Sequence, residues 1–280
     1  MRWQSPWGEG FPGWHIECSA MSKKYLGETF DIHGGGMDLQ ATHHTNEIAQ
    51  SQACFNKNPA NYWMHTNMLT VNGVRMSKSA GNGFLPKELF TGNHPLLEKG
   101  YAPMAVKFFM LQTHYRSPLD FSNEALQASE KGFLRLMEGY STLNYLKADT
   151  LSNENIIELQ LKCYAAMNDD FNTSVLIAHL FDALKIINSA NDKKTKLTQD
   201  DIDLLKTIYQ DFVFDVLGLK NEKTDSKTSE ALSKVMELII DIRAKVKADK
   251  NFELSDKIRD KLTDAGIQIK DTKEGTAWKI

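Results

Sequence analysis

The sequence predicts an α/β segment followed by an all-α one. Three observations carry this. A strand–glycine–helix–strand succession occupies residues 1–85, apolar residues recur at helical spacing from Pro86 onward, and a stretch without apolar side chains at 220–228 sets off residues 229–280. Phe30-Asp31-Ile32-His33 reads as a short buried strand running into Gly34-Gly35-Gly36, a tight turn from which a helix starts near Asp38 and continues through Gln50. Residues 62–71 are rich in β-formers, and Asn72-Gly73 makes a turn.

Beyond residue 85 helices dominate. Pro86 and Pro103 each suit a helix's first turn, where a missing N–H costs nothing. Ser122 caps a helix with Leu126, Phe133, Met137, Tyr140 and Leu143 on one face. Leu176, Leu180, Leu184 and Ile187 form a second stripe. Thr198-x-x-Asp201 resembles a capping box and opens a third, Ile202, Leu205, Ile208, Phe212 and Val216, with Gly218 at its C-terminal end. After the linker at 220–228 come a helix carrying Leu232, Met236, Ile239, Ile242 and Val246, a helix from about Ser255 to Ala265 ending at Gly266, and a close of Ile267-Gln268-Ile269, a turn and Trp278. There is no internal repeat.

Composition narrows the class. The 280 residues include 33 basic and 36 acidic ones, a net charge of −3, with 41% hydrophobic and 25% charged, which excludes disordered and fibrous chains. No run of about 18 apolar residues predicts a membrane span, and the first twenty residues lack the design of a signal peptide. Cys18, Cys54 and Cys163 are far apart and odd in number, against a disulfide framework and in favour of a reducing, cytoplasmic setting.

Three features could carry chemistry. Five of the eight histidines (His15, His33, His43, His44, His65) fall in the first 65 residues. His43 and Glu47 lie four apart on one helix face, and with Cys18 they offer three donors of the types zinc accepts. A surface His–Glu pair beside a buried cysteine has the same spacing. Gly34-Gly35-Gly36-x-Asp38 lets a ligand approach the backbone, with a carboxylate near enough for ribose hydroxyls, or is a plain turn. Arg75-Met76-Ser77-Lys78-Ser79 and the following Ala80-Gly81-Asn82-Gly83 suit a mobile loop gripping polyphosphate, or a solvated basic loop.

Together, Gly13-Trp14-His15-Ile16-Glu17-Cys18-Ser19-Ala20-Met21, Phe30 through Gly36, His43-His44-x-Asn46-Glu47-Ile48-Ala49-Gln50-Ser51 and Met76-Ser77-Lys78-Ser79 resemble, in order and spacing, the rear portion of the cysteinyl-tRNA synthetases, class I aminoacyl-tRNA synthetases. The similarity continues through His114-Tyr115-Arg116-Ser117, Asp169-Asp170-Phe171-Asn172-Thr173 and Asp271-x-x-x-Gly275-Thr276-x-Trp278, covering essentially the whole chain.

The resemblance implies the second half of a Rossmann-type catalytic domain at 1–85, a connecting segment at 86–120, a helical bundle at 121–219, the linker and an anticodon-binding module at 229–280. It implies one zinc ion held by Cys18, His43 and Glu47, Trp14 beside the cysteine substrate, and Gly34, Gly35 and Asp38 along the nucleotide. Lys78 would bind the ATP phosphates and act in catalysis with Ser77, with Mg2+ accompanying ATP. Arg243, Arg259 and Trp278 would contact tRNA(Cys), in a tail of ten Lys/Arg against eight Asp/Glu from residue 241 on. The implied activity is ATP-dependent formation of cysteinyl-adenylate and transfer to tRNA, by a cytoplasmic monomer.

There are departures. No His-x-Gly-His string occurs, the family's early cysteine ligand has no counterpart, and the first βαβ half of the nucleotide fold is expected to be missing or supplied as a separate N-terminal half. Arg75 replaces the first lysine of the usual Lys-Met-Ser-Lys-Ser, Ala41-Thr42 stand where Phe-Pro is common, and 91–99 looks like an insertion. The alternatives are a non-catalytic tRNA-binding fragment and a synthetase-like cysteine:amino-sugar ligase.

Overall fold

The computed structural model describes residues 2–77, 79–221, 227–249, 251–265, 267–272 and 275–279. The chain forms two units, Met1–Lys220 and Asn221–Ile280.

The first unit opens on an antiparallel hairpin, β1 (Trp3–Ser5) and β2 (Gly8–Gly10), and a helix, α1 (Trp14–Leu26). The sequence does not announce these. Their apolar residues follow neither a period of 2 nor one of 3.6, and α1 buries none of its side chains fully. β3 (Phe30–Gly36) then pairs in parallel with β4 (Ala60–Thr66), Ile32 opposite Tyr62 and Gly35 opposite His65. A parallel pair needs a crossover, which is a π-helical segment, Gln40–His44, running into α2 (Thr45–Phe55).

Two expectations are corrected here. The glycine triplet is the end of the strand, because all three glycines stay in register with β4; the turn follows it, closed by Leu39 N–H donating to Gly36 O at 3.0 Å. The helix starts at Gln40 instead of Asp38, and in π form.

The β-rich stretch 62–71 is two strands, β4 and β5 (Leu69–Val71). The second turns at Asn72 (φ 49°) and Gly73 (φ 76°) into β6 (Val74–Arg75), as Asn-Gly predicts. α3 (Pro86–Thr91) and α4 (Pro103–Leu111) each begin on their proline. β7 (Leu119–Phe121), too short to show a period, lies parallel to β5. These elements share a small core of Val71, Leu89, Tyr101, Val106, Phe109, Phe121 and Leu126.

α5 (Asn123–Leu143), α6 (Ile156–Asn168), α7 (Thr173–Asn191) and α8 (Gln199–Ile208) build the bundle around Leu136, Leu176, Leu180, Leu205 and Phe212. Ser122 and Thr198 cap as expected, accepting from Ala125 N–H and Asp201 N–H, and Gly218 has φ 58°. After α8 the chain winds as a π-helix, Tyr209–Val216. This wider winding corrects the third stripe: it carries Val216 out to 51% exposure and buries Val213 in its place.

All three cysteines are free. Cys163 lies wholly inside the bundle, where burial pushes its thiol up to about 12, while Cys54 is exposed. With iodoacetamide at pH 8, Cys54 is alkylated in the native protein and Cys163 only after unfolding in urea. Peptide mass spectrometry reads both, and native labelling of Cys163 would contradict this core.

The second unit pairs α9 (Lys227–Ala248) with α10 (Phe252–Asp264), Met236 and Leu262 being buried, and ends in the hairpin β8 (Gln268–Thr272) and β9 (Gly275–Lys279), Ile269 opposite Trp278. Asn251 caps α10 by accepting from Leu254 N–H. Of the expected linker, 222–226 lie outside the described residues, as does Gly266, and α9 starts two residues early. No helix among the described residues is long and apolar enough to cross a membrane.

Candidate metal and nucleotide site

The π-helical segment decides which side chains face the sheet. The carbonyl of Leu39 accepts from both His43 N–H (2.9 Å) and His44 N–H (3.0 Å), so an extra residue is accommodated where the helix begins. Both imidazoles turn inward, at 3% exposure each, and Glu47 follows one turn later at 1%. Cys18 comes from α1, which packs against α2 with Ser19 Oγ donating to Gln50 Oε1 at 2.7 Å. One donor atom from each of Cys18, His43 and Glu47 falls within 4.8 Å of the others.

The electrostatics of this trio suit a cation. Glu47 Oε1 is buried and accepts no hydrogen bond among the described residues, although His43 Nε2 stands 3.0 Å away. Burial and the carboxylates of Glu47 and Glu17 raise the Cys18 thiol above its ordinary value. A carboxylate oxygen without a donor, an imidazole nitrogen 3.0 Å from it and a thiol whose ionisation the neighbouring negative charges oppose would all be relieved by one soft divalent ion. The residues fit zinc.

Around the trio stands a shell that spacing arguments did not resolve. His15 Nδ1 is 2.9 Å from His43 Nδ1, so with the proton on His43 Nδ1 the Nε2 lone pair stays free. His33 Nε2 is 3.4 Å from Glu47 Oε2, and His33, His44 and Glu47 form a second convergent set of donors. His44 Nδ1 lies 2.8 Å from His65 Nε2; burial, followed by the neighbouring histidines, lowers its pKa to about 4, so it is neutral at pH 7. The crowding of histidines into the first 65 residues was the only sequence signal for this shell. Trp14 covers the open side, its ring 4.5 Å from that of His43 and 59% exposed.

Gly34 and Gly35 line a cleft at the carboxyl end of β3 and β4, whereas Asp38 is not among its lining residues and has its carboxylate folded against Gly36. Ser77 caps its own loop, accepting from Ala80 N–H at 3.2 Å, while its N–H donates to Asn82 Oδ1 at 3.0 Å. Lys78 lies outside the described residues. In the second unit Arg259 is exposed beside Asp256 (3.4 Å), and Trp278 is half-buried in the hairpin. Arg243, on α9, is only 3% exposed within its own unit.

A parallel strand–helix–strand unit with a convergent donor set at its crossover helix, leading into a helical bundle, accords with a class I tRNA synthetase. Residues 1–131 match the family of tRNA synthetases class I (C) catalytic domain, and 162–221 match the DALR domain. The fold is also that of LeuRS from Agrobacterium radiobacter K84, solved in a ternary complex with tRNA and LeuAMS. Its TM-score is 0.51 at 16% identity, over 74% of this chain and 30% of that one.

Curated relatives carrying the name cysteine–tRNA ligase are closer. Those of Parabacteroides distasonis and Bacteroides fragilis are each 52% identical over 281 residues, covering all of this chain and 57% of the relative. That of Chlorobaculum tepidum is 44% identical over 289 residues, covering 99% of this chain and 56% of its own. The chain is similar to the cysteine–tRNA ligases along its whole length, and it spans little more than half the length of these relatives.

Proposed function

We propose that this chain carries the amino-acid pocket, part of the ATP site and the tRNA-reading tail of a ligase that activates cysteine with ATP and transfers it to tRNA(Cys). The observation that supports it best is the buried Glu47 carboxylate oxygen without a hydrogen-bond donor, facing His43 and Cys18. Cysteine and serine differ by one atom, and shape alone separates near-isosteres by only about 1–3 kcal/mol. A zinc ion held by Cys18, His43 and Glu47 would supply a soft acceptor for the substrate sulfur, which an alcohol does not match at neutral pH.

The chain's own residues do the rest by position and charge. Trp14 closes the amino-acid pocket over His43. Gly34 and Gly35 admit the nucleotide to the backbone, and Asp38 holds ribose hydroxyls. Lys78 and Ser77 steady the phosphates, which enter with Mg2+, as the substrate carboxylate attacks the α-phosphorus and pyrophosphate leaves. Arg259 and Trp278 contact the tRNA by charge and stacking.

The chain has no His-x-Gly-His string and matches 57% of its relatives' length. Activity therefore requires a further segment, joined to it or supplied by a second polypeptide. Cysteine-dependent ATP–pyrophosphate exchange is the test. The 280 residues alone give little exchange, addition of the amino-terminal part of a relative gives robust exchange, and serine does not replace cysteine. Robust exchange by the 280 residues alone would refute the requirement, and equal exchange with serine would refute the metal's role.

A further inference from the structure

Two motifs that the catalytic reading leaves unused, His114-Tyr115-Arg116 and Asp169-Asp170-Phe171, are more than fifty residues apart and meet in space. Arg116 Nε donates to Asp170 Oδ2 (2.5 Å) and to Tyr115 Oη (3.1 Å), the Tyr115 hydroxyl donates to Asp170 Oδ1 (2.6 Å), and His114 Nε2 is 3.2 Å from Asp170 O. The pairing holds the Asp170 carboxyl below its usual range, chiefly through Arg116. The clamp fixes an unfavourable backbone: Asp170 and Phe171 both have φ 54°, consecutive left-handed residues without a glycine.

Phe171 gains little from the fold in return. A bulky side chain is the least suited to positive φ, yet its ring is 49% exposed instead of buried in the bundle. It forms one wall of a cleft of about 600 Å³, with Tyr115, Met64 and Met110 beside it and the glycine end of β3 among the other lining residues. The glycine at 34 is not imposed by its surroundings either. Its φ is not positive, and a Cβ there would meet nothing nearer than Met64 O at 3.7 Å. A strained, half-exposed aromatic ring and a bare backbone, in one cleft at the carboxyl ends of parallel strands, leave room for a flat ligand between apolar surfaces.

We infer that Phe171 is a substrate-binding residue whose ring stacks on an adenine base in this cleft, with Asp170 and Arg116 as its positioning residues. The inference rests on the proposed function, which supplies two sources of that base: ATP, and the terminal adenosine of the tRNA.

Phe171→Gly separates ligand binding from folding, because glycine accepts positive φ more readily than phenylalanine does. The probes are adenosine monophosphate and RNA hairpins ending in CCA or CC, bound at equilibrium to the 280-residue chain. Phe171→Gly melts no lower than the wild type, yet its affinity for adenosine monophosphate, or its preference for the CCA end, falls about tenfold. Phe171→Trp keeps the wild-type affinity. Loss for the mononucleotide alone names ATP as the source, and loss for the CCA end alone names the tRNA. Unchanged affinity for both probes in Phe171→Gly, or no measurable binding by the wild type, overturns the inference. Cysteine-dependent exchange by the complemented protein is scored separately, so failure of the adenine site and failure of the ligase reading are distinguishable.

Discussion

Glu47→Gln is expected to move two measurements in opposite directions: zinc affinity falls and the metal-free protein melts higher. The carboxylate is 1% exposed and its Oε1 accepts no hydrogen bond among the described residues. Without a cation, an ionised group in that position carries an uncompensated desolvation penalty, and its removal returns about 1–3 kcal/mol. With zinc, the same substitution deletes a charged ligand. The loss should exceed the roughly 10–100-fold seen when only an outer-shell partner is removed. A structural ion pair between Glu47 and a protonated His43 predicts the reverse, because breaking a buried pair leaves a charge behind and lowers stability strongly.

Calorimetry with and without a zinc chelator decides between them. The wild type gains stability with zinc by mass action, and Glu47→Gln does not. Cys18→Ser, which exchanges a soft donor for a hard one, also loses zinc-dependent stabilisation. A variant that melts lower than the wild type in chelator, while binding zinc as tightly, would remove the metal from this site.

The parts of this architecture that were legible in the sequence are those where one local rule decides. Ser122 and Thr198 cap because a hydroxyl before an apolar stripe has one good use. Pro86 and Pro103 start helices because a proline fits almost nowhere else in one. Donor type and spacing offered Cys18 with His43 and Glu47 as one of two readings, and the family resemblance favoured it over a surface pair beside a buried cysteine. Spacing places two of the three on one helix face and says nothing of α1. What stayed hidden depends on departures from the regular period. The Gln40–His44 segment turns two successive histidines inward, and the Tyr209–Val216 segment exchanges Val216 for Val213, both by π winding that a 3.6-residue template cannot register. The Asp170–Arg116 clamp is a contact between distant motifs, invisible to any local window. The apparent insertion at 91–99 is likewise explained by tertiary contacts, since Leu97 packs on the small core and the loop closes between two glycines.

That closure makes Gly92 the position where a single methyl group has the largest expected effect on the first unit's stability. Gly92 ends α3 with φ 74°, its N–H donating to Glu88 O at 2.8 Å. A Cβ there would collide with Gly100 N and come within 2.5 Å of Lys99 C. Both obstacles are backbone, so no rotamer change relieves them. The mirror-image contact holds at Gly100, whose Cβ would strike Phe90 O and lie 2.9 Å from Thr91 C.

Gly92→Ala therefore combines a left-handed conformation, costing about 1–2 kcal/mol in an L-residue, with a backbone displacement. A total of roughly 3–4 kcal/mol is large against the margin of a typical domain. Gly92→Asn tests the partition: asparagine tolerates positive φ, so a clash-dominated effect leaves it nearly as destabilised as alanine. Gly81→Ala is the control, with φ 63° and nothing within 4 Å of its Cβ, and it should lose only the conformational part. The damage at Gly92 falls on the core of Leu89, Tyr101 and Phe121, on which Met76 also packs. Urea midpoints by circular dichroism would show Gly92→Ala and Gly92→Asn well below Gly81→Ala. Equal midpoints for the three would mean that the two glycines do not approach each other in solution.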